Sequence, residues 1–238
     1  RQLMKFIVED KFWDVFPNVK IGIITAKGID NKSTLGDVKY KLMLKDAEEK
    51  ALAHVPSNDF SSNPVIKVWR EAFQKFKTKK GVRASIEALL KRVDKGDHIG
   101  SINPLVDIYN SISLKYAMPC GGEDMDKFVG DIRLTKANGD EDFITLGSGE
   151  SAPPYPEEIV YKDDAGAICR CWNWREAERT MLTEDTTNAF LCIELIDLSR
   201  EAEFNEALKE LAGLVSEHIG GEIKIQILDK DNKEAEIM

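Results

Sequence analysis

Histidine is scarce in this sequence, with three in 238 residues, and His54, His98 and His218 stand in unrelated settings. That argues against a metal centre built on imidazole. Cysteine is hardly more common: Cys120, Cys169, Cys171 and Cys192 are irregularly spaced in a chain too long to need disulfide staples. Free thiols in a reducing compartment are expected. The Cys169-x-Cys171 pair lacks the second two-ligand unit a zinc site requires, so neither a metal nor another cofactor is implied. No apolar run approaches the ~18–20 residues that span a bilayer, and no basic-then-apolar leader opens the chain. A cytoplasmic protein with no membrane partner is expected. An excess of basic charge is also missing: the net charge is −9. This weighs against an extended nucleic-acid interface, and no DNA partner is expected.

What is present suffices for a folded core, with 42% hydrophobic and 32% charged residues. Arg1–Leu3 precede Met4, the better natural start, and stay outside the fold reasoning. Residues 4–238 are expected to form a single domain.

Lys5–Val8 alternates weakly and reads as a short edge strand. Val19–Ala26 alternates after the Pro17–Asn18 turn and reads as a strand. Asp37–His54 carries Tyr40, Leu44, Ala47 and Ala51 at helical spacing and closes before Pro56. Asn63–Pro64 has an N-cap followed by proline at the first helical position, predicting a helix with Val65, Val68, Trp69, Ala72, Phe73 and Phe76 on one face. Gly81 breaks it, and Ser85–Val93 is a further short helix. Asn103–Pro104 repeats the start signature and opens a helix to Tyr116. Met118–Asp124 reads as a glycine-bearing loop. Then the period changes: Ile132–Leu134, Phe143–Leu146, Ile159–Tyr161, Ala167–Cys169 and Phe190–Ile196 read as strands. An amphipathic helix, Ser199–Ile219, is closed by Gly220–Gly221 before a last strand, Glu222–Leu228. Helices dominate the N-terminal half and largely antiparallel strands the C-terminal half, which is the α+β class.

Some segments do not look like ordinary core. Asp107 and Asn110 lie three apart on one helix face, with Tyr109 beside them. Gly121 and Gly122 permit backbone angles closed to other residues, so their loop could aim consecutive N–H groups at an anion or a polarised carbonyl; a plain turn is the competing reading. Trp172-Asn173-Trp174-Arg175 puts two indoles, an amide and a guanidinium into four positions, suited to lining a pocket or stacking a base. Lys75, Lys77, Lys79, Lys80, Arg83, Lys91 and Arg92 make a local basic stretch, for which a solvated helix face is the bland reading.

Ile102-Asn-Pro-Leu-Val-Asp-Ile-Tyr-Asn110, Pro119, Asp124, Gly130-x-Ile-Arg133 and Thr186-Thr-Asn188 occur in an order and spacing that resembles one family. It is the editing domain of the phenylalanyl-tRNA synthetase beta subunit, and in particular the freestanding proteins that carry only that domain. The resemblance covers about Val19–Leu198 and is strongest over Asn103–Arg133. It implies an α+β domain with a central pocket and a hydrolytic role, removal of a wrong amino acid from charged tRNA. The family pattern P-x-H-A-F-D becomes Pro119-Cys-Gly-Gly-Glu-Asp124, so Gly121 stands where the family has histidine. The family's Thr-Asn becomes Tyr109–Asn110, and its glycine-rich pocket segment becomes Trp172–Arg175. The pocket glutamate aligns with Cys192, and Glu194 is the nearest carboxylate on that strand face.

The resemblance thus implies a trans-editing deacylase, with the acceptor end of a charged tRNA and its aminoacyl group as partners. Backbone N–H groups of Gly121 and Gly122 would form the oxyanion hole, Asn110 would orient substrate or water, and Asp124 would be the nearby carboxylate, unless it caps the turn after it. Tyr109, Trp172, Asn173, Trp174, Arg175 and Glu194 would hold the aminoacyl group, and Lys79, Lys80 and Arg83 the tRNA. The bulky indoles predict a small or partly polar side chain. Two alternatives stand beside this: a non-catalytic module binding charged tRNA or an amino acid, and a thiol-dependent enzyme using Cys120.

Overall fold

Asn103 starts a helix as its sequence predicts. Its backbone is extended, and its side-chain oxygen accepts the Val106 N–H at 3.1 Å, with Pro104 in the first turn. Asn63 has the same neighbours but a different job: its side-chain oxygen accepts the Ser57 N–H at 3.1 Å, tying down the preceding loop instead of the helix. The computed structural model describes residues 3–34 and 38–238.

The first half of the chain runs β1 (Lys5–Val8), α1 (Asp10–Trp13), β2 (Lys20–Lys27), α2 (Lys39–Ala51), α3 (Pro64–Ala72), α4 (Ser85–Asp94) and α5 (Pro104–Tyr116). Then follow β3 (Cys120–Asp124), β4 (Ile132–Lys136), β5 (Ile159–Asp163), β6 (Gly166–Arg170), β7 (Arg175–Glu176) and β8 (Asn188–Leu195). The chain closes with α6 (Glu201–Ile219), β9 (Glu222–Leu228) and β10 (Glu234–Glu236). This is the mixed α+β class expected. One sheet has the order β10-β1-β4-β5-β6-β7 and the other β3-β8-β2-β9. Among the described residues β1 and β4 pair in parallel and the remaining neighbours are antiparallel.

Several expectations need correction. Lys5–Val8 is an interior strand, because β10 covers the edge it would have exposed. The expected start of α2 at Asp37 lies outside the described residues, and α2 gives way to a 3₁₀ turn at Leu52–His54. α3 stops at Ala72, so Phe73 and Phe76 pack from the turn beyond it. Phe143–Leu146 forms only isolated bridges, Ile144 to Ser151 and Thr145 to Ala177, and no strand. Lys75–Arg83 lies in the link between α3 and α4 and not on a helix face.

The Gly121–Gly122 segment is not a loop but strand β3. Its glycines are there for close approach and not for unusual angles. A Cβ on Gly122 would lie 2.7 Å from Leu191 and 2.8 Å from Leu182.

Strand β8 is buried on both faces, which is why it reads as a nearly continuous apolar run. Ala189, Leu191, Ile193 and Leu195 pack with α5 and α6 residues such as Ile108, Ile112, Leu208 and Leu211. Phe190, Cys192 and Glu194 alternate with them and face the other sheet. That inter-sheet side is filled by Phe6, Ile132, Tyr161, Ile168 and Phe190, with α3 and α4 closing one end.

Candidate functional site

The inter-sheet core is incompletely filled: a cavity of about 60 Å³ remains between β3 and β8 on one side and β4, β5 and β6 on the other. A single water needs roughly 10–15 Å³ of such space, and a cavity that holds benzene measures ~150 Å³. The space suits a handful of small atoms and not an aromatic ring. Ser85, Gly121, Asn173, Glu176 and Cys192 line it and keep partial exposure, so they mark its mouth.

The turn from β6 to β7 supplies one wall. Cys171 and Trp172 both take left-handed backbone angles, φ 47° and φ 64°. Such angles cost non-glycine residues about 1–3 kcal/mol each and persist only where the surroundings impose them. Here the Trp172 indole is fully buried, 4.8 Å from the rings of Phe16 and Trp69 and 5.0 Å from Phe12. The Trp172 backbone N–H donates to the Ile159 carbonyl at 2.7 Å. Just before the turn, buried Arg170 makes a two-point pair with Glu158, at 2.6 and 3.1 Å.

This turn aims Asn173 at the cavity. Its side-chain oxygen accepts the Ser85 N–H at 3.0 Å, and its amide donates to Glu194 at 2.9 Å. Tyr161 donates to the other Glu194 oxygen at 2.5 Å. Burial pushes the Glu194 carboxyl up to about 7, and the hydrogen bonds from Tyr161 and Asn173, together with the nearby Trp172 indole, oppose that rise. The Trp172 indole N–H is beside this carboxylate but closes no hydrogen bond, and Ser85 Oγ is also without a partner. Buried polar atoms without partners are rare in native proteins. Two of them line this one cavity.

Two more carboxylates complete the lining, Glu123 on β3 and Glu176 on β7. Burial pushes Glu176 up to about 7. Burial, then the neighbouring Glu176, raises Glu123 well above the usual carboxylate range. Thr180 Oγ1 donates to Glu123 at 2.9 Å. Cys169 and Cys192 also line the cavity, and burial raises both thiols well above their ordinary values, so they are neutral.

The expected site residues divide. Gly121, Gly122, Trp172, Asn173 and Glu194 come together on the cavity. Asn110 lies on α5, half-buried and outside the lining. Tyr109 is buried behind β3, 3.3 Å from where a Gly122 Cβ would stand. Asp124 caps the turn that follows it: it accepts the Asp126 N–H at 3.0 Å and the Thr186 hydroxyl at 2.9 Å, and does not line the cavity.

Trp174 and Arg175 stay at the rim. The Trp174 ring has Arg175 at 5.0 Å, Arg170 at 5.4 Å and Lys79 at 6.0 Å, so its faces are taken by cations. Lys79, Lys80 and Arg83 border a neighbouring groove that reaches Ala84, next to Ser85. Arg83 also pairs with Glu87 at 3.3 Å.

The expected pair of consecutive backbone donors is corrected by the strand. Glu194 N–H donates to the Pro119 carbonyl at 3.2 Å, which sets the phase of the β3–β8 ladder. Gly121 and Glu123 therefore turn their backbone groups to β8, while Gly122 and Asp124 turn theirs away. Asp124 N–H indeed goes to the Thr180 carbonyl at 2.9 Å. Gly121 and Gly122 cannot address one oxyanion together. Burial also raises the Cys120 thiol, which leaves it a poor nucleophile.

Sequence reasoning missed Ser85, Glu123, Tyr161, Cys169 and Glu176 as lining residues. A signal existed for one of them: Glu123 shares Gly121's face once the segment is read with period two.

Residues 68–220 match the family model of the B3/4 domain. The chain is 22% identical over 145 residues to the phenylalanine–tRNA ligase beta subunit of Shewanella oneidensis, which covers 61% of this chain and 17% of that one. It is 48% identical over 131 residues to the corresponding subunit of Mycoplasmoides gallisepticum, covering 52% of this chain and 15% of that one. An N-terminal fragment of the Pyrococcus horikoshii phenylalanyl-tRNA synthetase beta subunit aligns with a TM-score of 0.45 at 13% identity, over 98% of this chain and 54% of the fragment. The chain thus spans a small part of the length of these ligase subunits. Because the family model reaches from within α3 to the end of α6, well over half of the sequence, this chain belongs to the B3/4 domain family.

Proposed function

We propose that this protein hydrolyses the ester of a mischarged tRNA, taking the aminoacyl group into the cavity between its two sheets. The observation that carries this reading is the group Tyr161–Glu194–Asn173 on the cavity wall, beside two buried polar atoms without partners. Such an arrangement is built to receive a small polar ligand. Kinship with the beta subunits of phenylalanine–tRNA ligases supports a tRNA-bound substrate. The basic residues Lys79, Lys80 and Arg83 border the neighbouring groove that reaches Ala84, next to the cavity-lining Ser85, and a terminal phosphate would pass along it.

An aminoacyl ester is already activated, so the protein need only place water, stabilise the developing oxyanion and exclude the wrong side chains. Glu194, poised near neutrality, takes the proton from water as the new carbon–oxygen bond forms. The ester bond to the terminal ribose then breaks, and Glu194 returns that proton to the ribose oxygen as it leaves. The Ser85 hydroxyl and the Trp172 indole N–H supply free donors for the carbonyl oxygen, a role the Gly121–Gly122 pair cannot fill. The small cavity favours a small or partly polar side chain over tyrosine.

A second reading, a binding module without turnover, is favoured by one observation: Gly121 stands where the family pattern has histidine, and all three histidines lie elsewhere. His54 bonds the Lys115 carbonyl, His98 bonds Glu48 and His218 packs against Tyr40. Deacylation assays on a full panel of correctly and incorrectly charged tRNAs decide between them. Hydrolysis of one or a few mischarged species supports the enzyme. Binding with no turnover across the panel supports the module.

A further inference from the structure

We propose that Glu123 and Glu176 form a cation subsite in the inter-sheet cavity, which takes the α-ammonium group of the aminoacyl ligand while the Trp172 indole N–H holds its carbonyl oxygen. This rests on reading the cavity as an aminoacyl site.

The argument starts from charge. Two carboxylates share one small cavity, on β3 and on β7, and neither forms an ion pair among the described residues. Arg179 is the basic group that acts on Glu123, but its guanidinium is engaged with Asp163 by two hydrogen bonds of 2.9 and 2.8 Å. From the surrounding elements Glu194 and Cys192 of β8, Tyr161 of β5, Cys169 of β6 and Cys120 and Asp124 of β3 lie around the pair, with Tyr109 of α5 behind. The thiols and phenols among them are neutral, because burial raises each well above its ordinary value. The basic residues on these elements are engaged elsewhere, Arg170 with Glu158, Lys162 with Glu141 and Lys115 with Glu210.

Two carboxylates on one small cavity, Glu123 buried and Glu176 at its mouth, each raise the other's hold on a proton when no cation is paired with them. An incoming ammonium group takes the proton's place and completes the pair. The second, independent sign of a ligand is Trp172, fully buried and lining the same cavity with its N–H unpartnered. An indole N–H only donates, so the ligand must also present an acceptor. An α-aminoacyl group carries an ammonium and a carbonyl oxygen on adjacent carbons. Glu123 occupies the position at which the family pattern has phenylalanine, so the subsite belongs to this chain's own residues.

Calorimetry with two amide-linked, non-hydrolysable analogues tests the subsite: 3′-alanylamino-adenosine and its lactyl counterpart, which has a hydroxyl where the amine stood. At pH 7.5 the alanyl analogue should bind at least about tenfold more tightly, a difference of ~1.4 kcal/mol. The gap should narrow at pH 6, with proton release to the buffer on binding. Glu176→Gln should close the gap, and Glu123→Gln serves the same purpose if that variant does not fold. Equal binding of the two analogues, no binding of either, or a gap that persists in both variants would overturn the proposal. Wild-type protein separates the two claims. A preference for the alanyl analogue without hydrolysis of any charged tRNA would keep the subsite and sink the deacylase. Equal hydrolysis of N-acetylalanyl-tRNA and alanyl-tRNA would do the reverse.

Discussion

Tyr161 and Glu194 come from different sheets and meet at 2.5 Å, the phenol donating to the carboxylate in the floor of the cavity. The contact joins the two layers at the point where they fail to fill the space between them. It also holds down the proton affinity of Glu194, which burial has raised.

Tyr161→Phe removes that donor, so the Glu194 carboxyl should rise further above its present value of about 7. If Glu194 is the base, the midpoint of the pH–rate profile moves to higher pH and the rate at pH 7 falls several-fold, with recovery at pH 8–9. A lower rate with an unmoved midpoint would assign Glu194 a binding role only.

Stability should respond to pH with a definite sign. Glu176 goes from an ordinary value of 4.5 to about 7 on folding. Between those values the folded state holds the extra proton, so stability falls as pH rises through the window. Glu176→Gln imitates the protonated form. Its melting temperature should exceed that of the wild type at pH 8 and match it near pH 4.5. Parallel curves for the two proteins would show that Glu176 is solvated.

The two glycines of β3 should behave differently. Gly122→Ala puts a methyl group 2.7 Å from Leu191 and 2.8 Å from Leu182, and overpacking of this kind costs about 1–3 kcal/mol. Gly121→Ala meets nothing nearer than Glu176 at 3.6 Å and Cys192 at 3.8 Å, so stability should hold. Its methyl group enters the cavity, however, and should exclude the larger side chains from hydrolysis. Denaturant melts and substrate panels on both variants check the contrast.

Arg170 and Glu158 are 3% and 0% exposed as side chains and form a two-point pair behind the Trp172 turn. Removing either partner alone leaves a buried charge, so Arg170→Met should cost about 3–5 kcal/mol. Arg170→Met with Glu158→Leu should recover part of that loss in chemical denaturation.

Local signals made much of this legible. The Asn-Pro pair at 103–104 marked α5, and the short apolar run over 190–196 marked β8. Trp172–Arg175 stood out because its polar residues interrupt indoles, and Asn173 does reach the cavity. The failures share a cause. Gly121 and Gly122 looked like a loop because glycine at tight packing and glycine at unusual angles are the same letter. Ser85, Tyr161 and Glu176 lie on three separate elements, and only the closing of the two sheets brings them to one place. Trp174 carried the same signal as Trp172, yet its faces are occupied by Arg170, Arg175 and Lys79.

The central claim is that the inter-sheet cavity receives a small aminoacyl group for hydrolysis. The most direct measurement is deacylation of tRNA charged with alanine, serine, threonine or tyrosine, by wild type and by Asn173→Ala. Asn173 links Ser85 to Glu194, so its loss should disorder the wall while leaving the core intact. The account predicts that one or more of the small amino acids is released and tyrosine is not, with the Asn173→Ala rate at least about tenfold lower, the equivalent of ~1.4 kcal/mol. Tyrosine released fastest, or hydrolysis unchanged by Asn173→Ala, would contradict it.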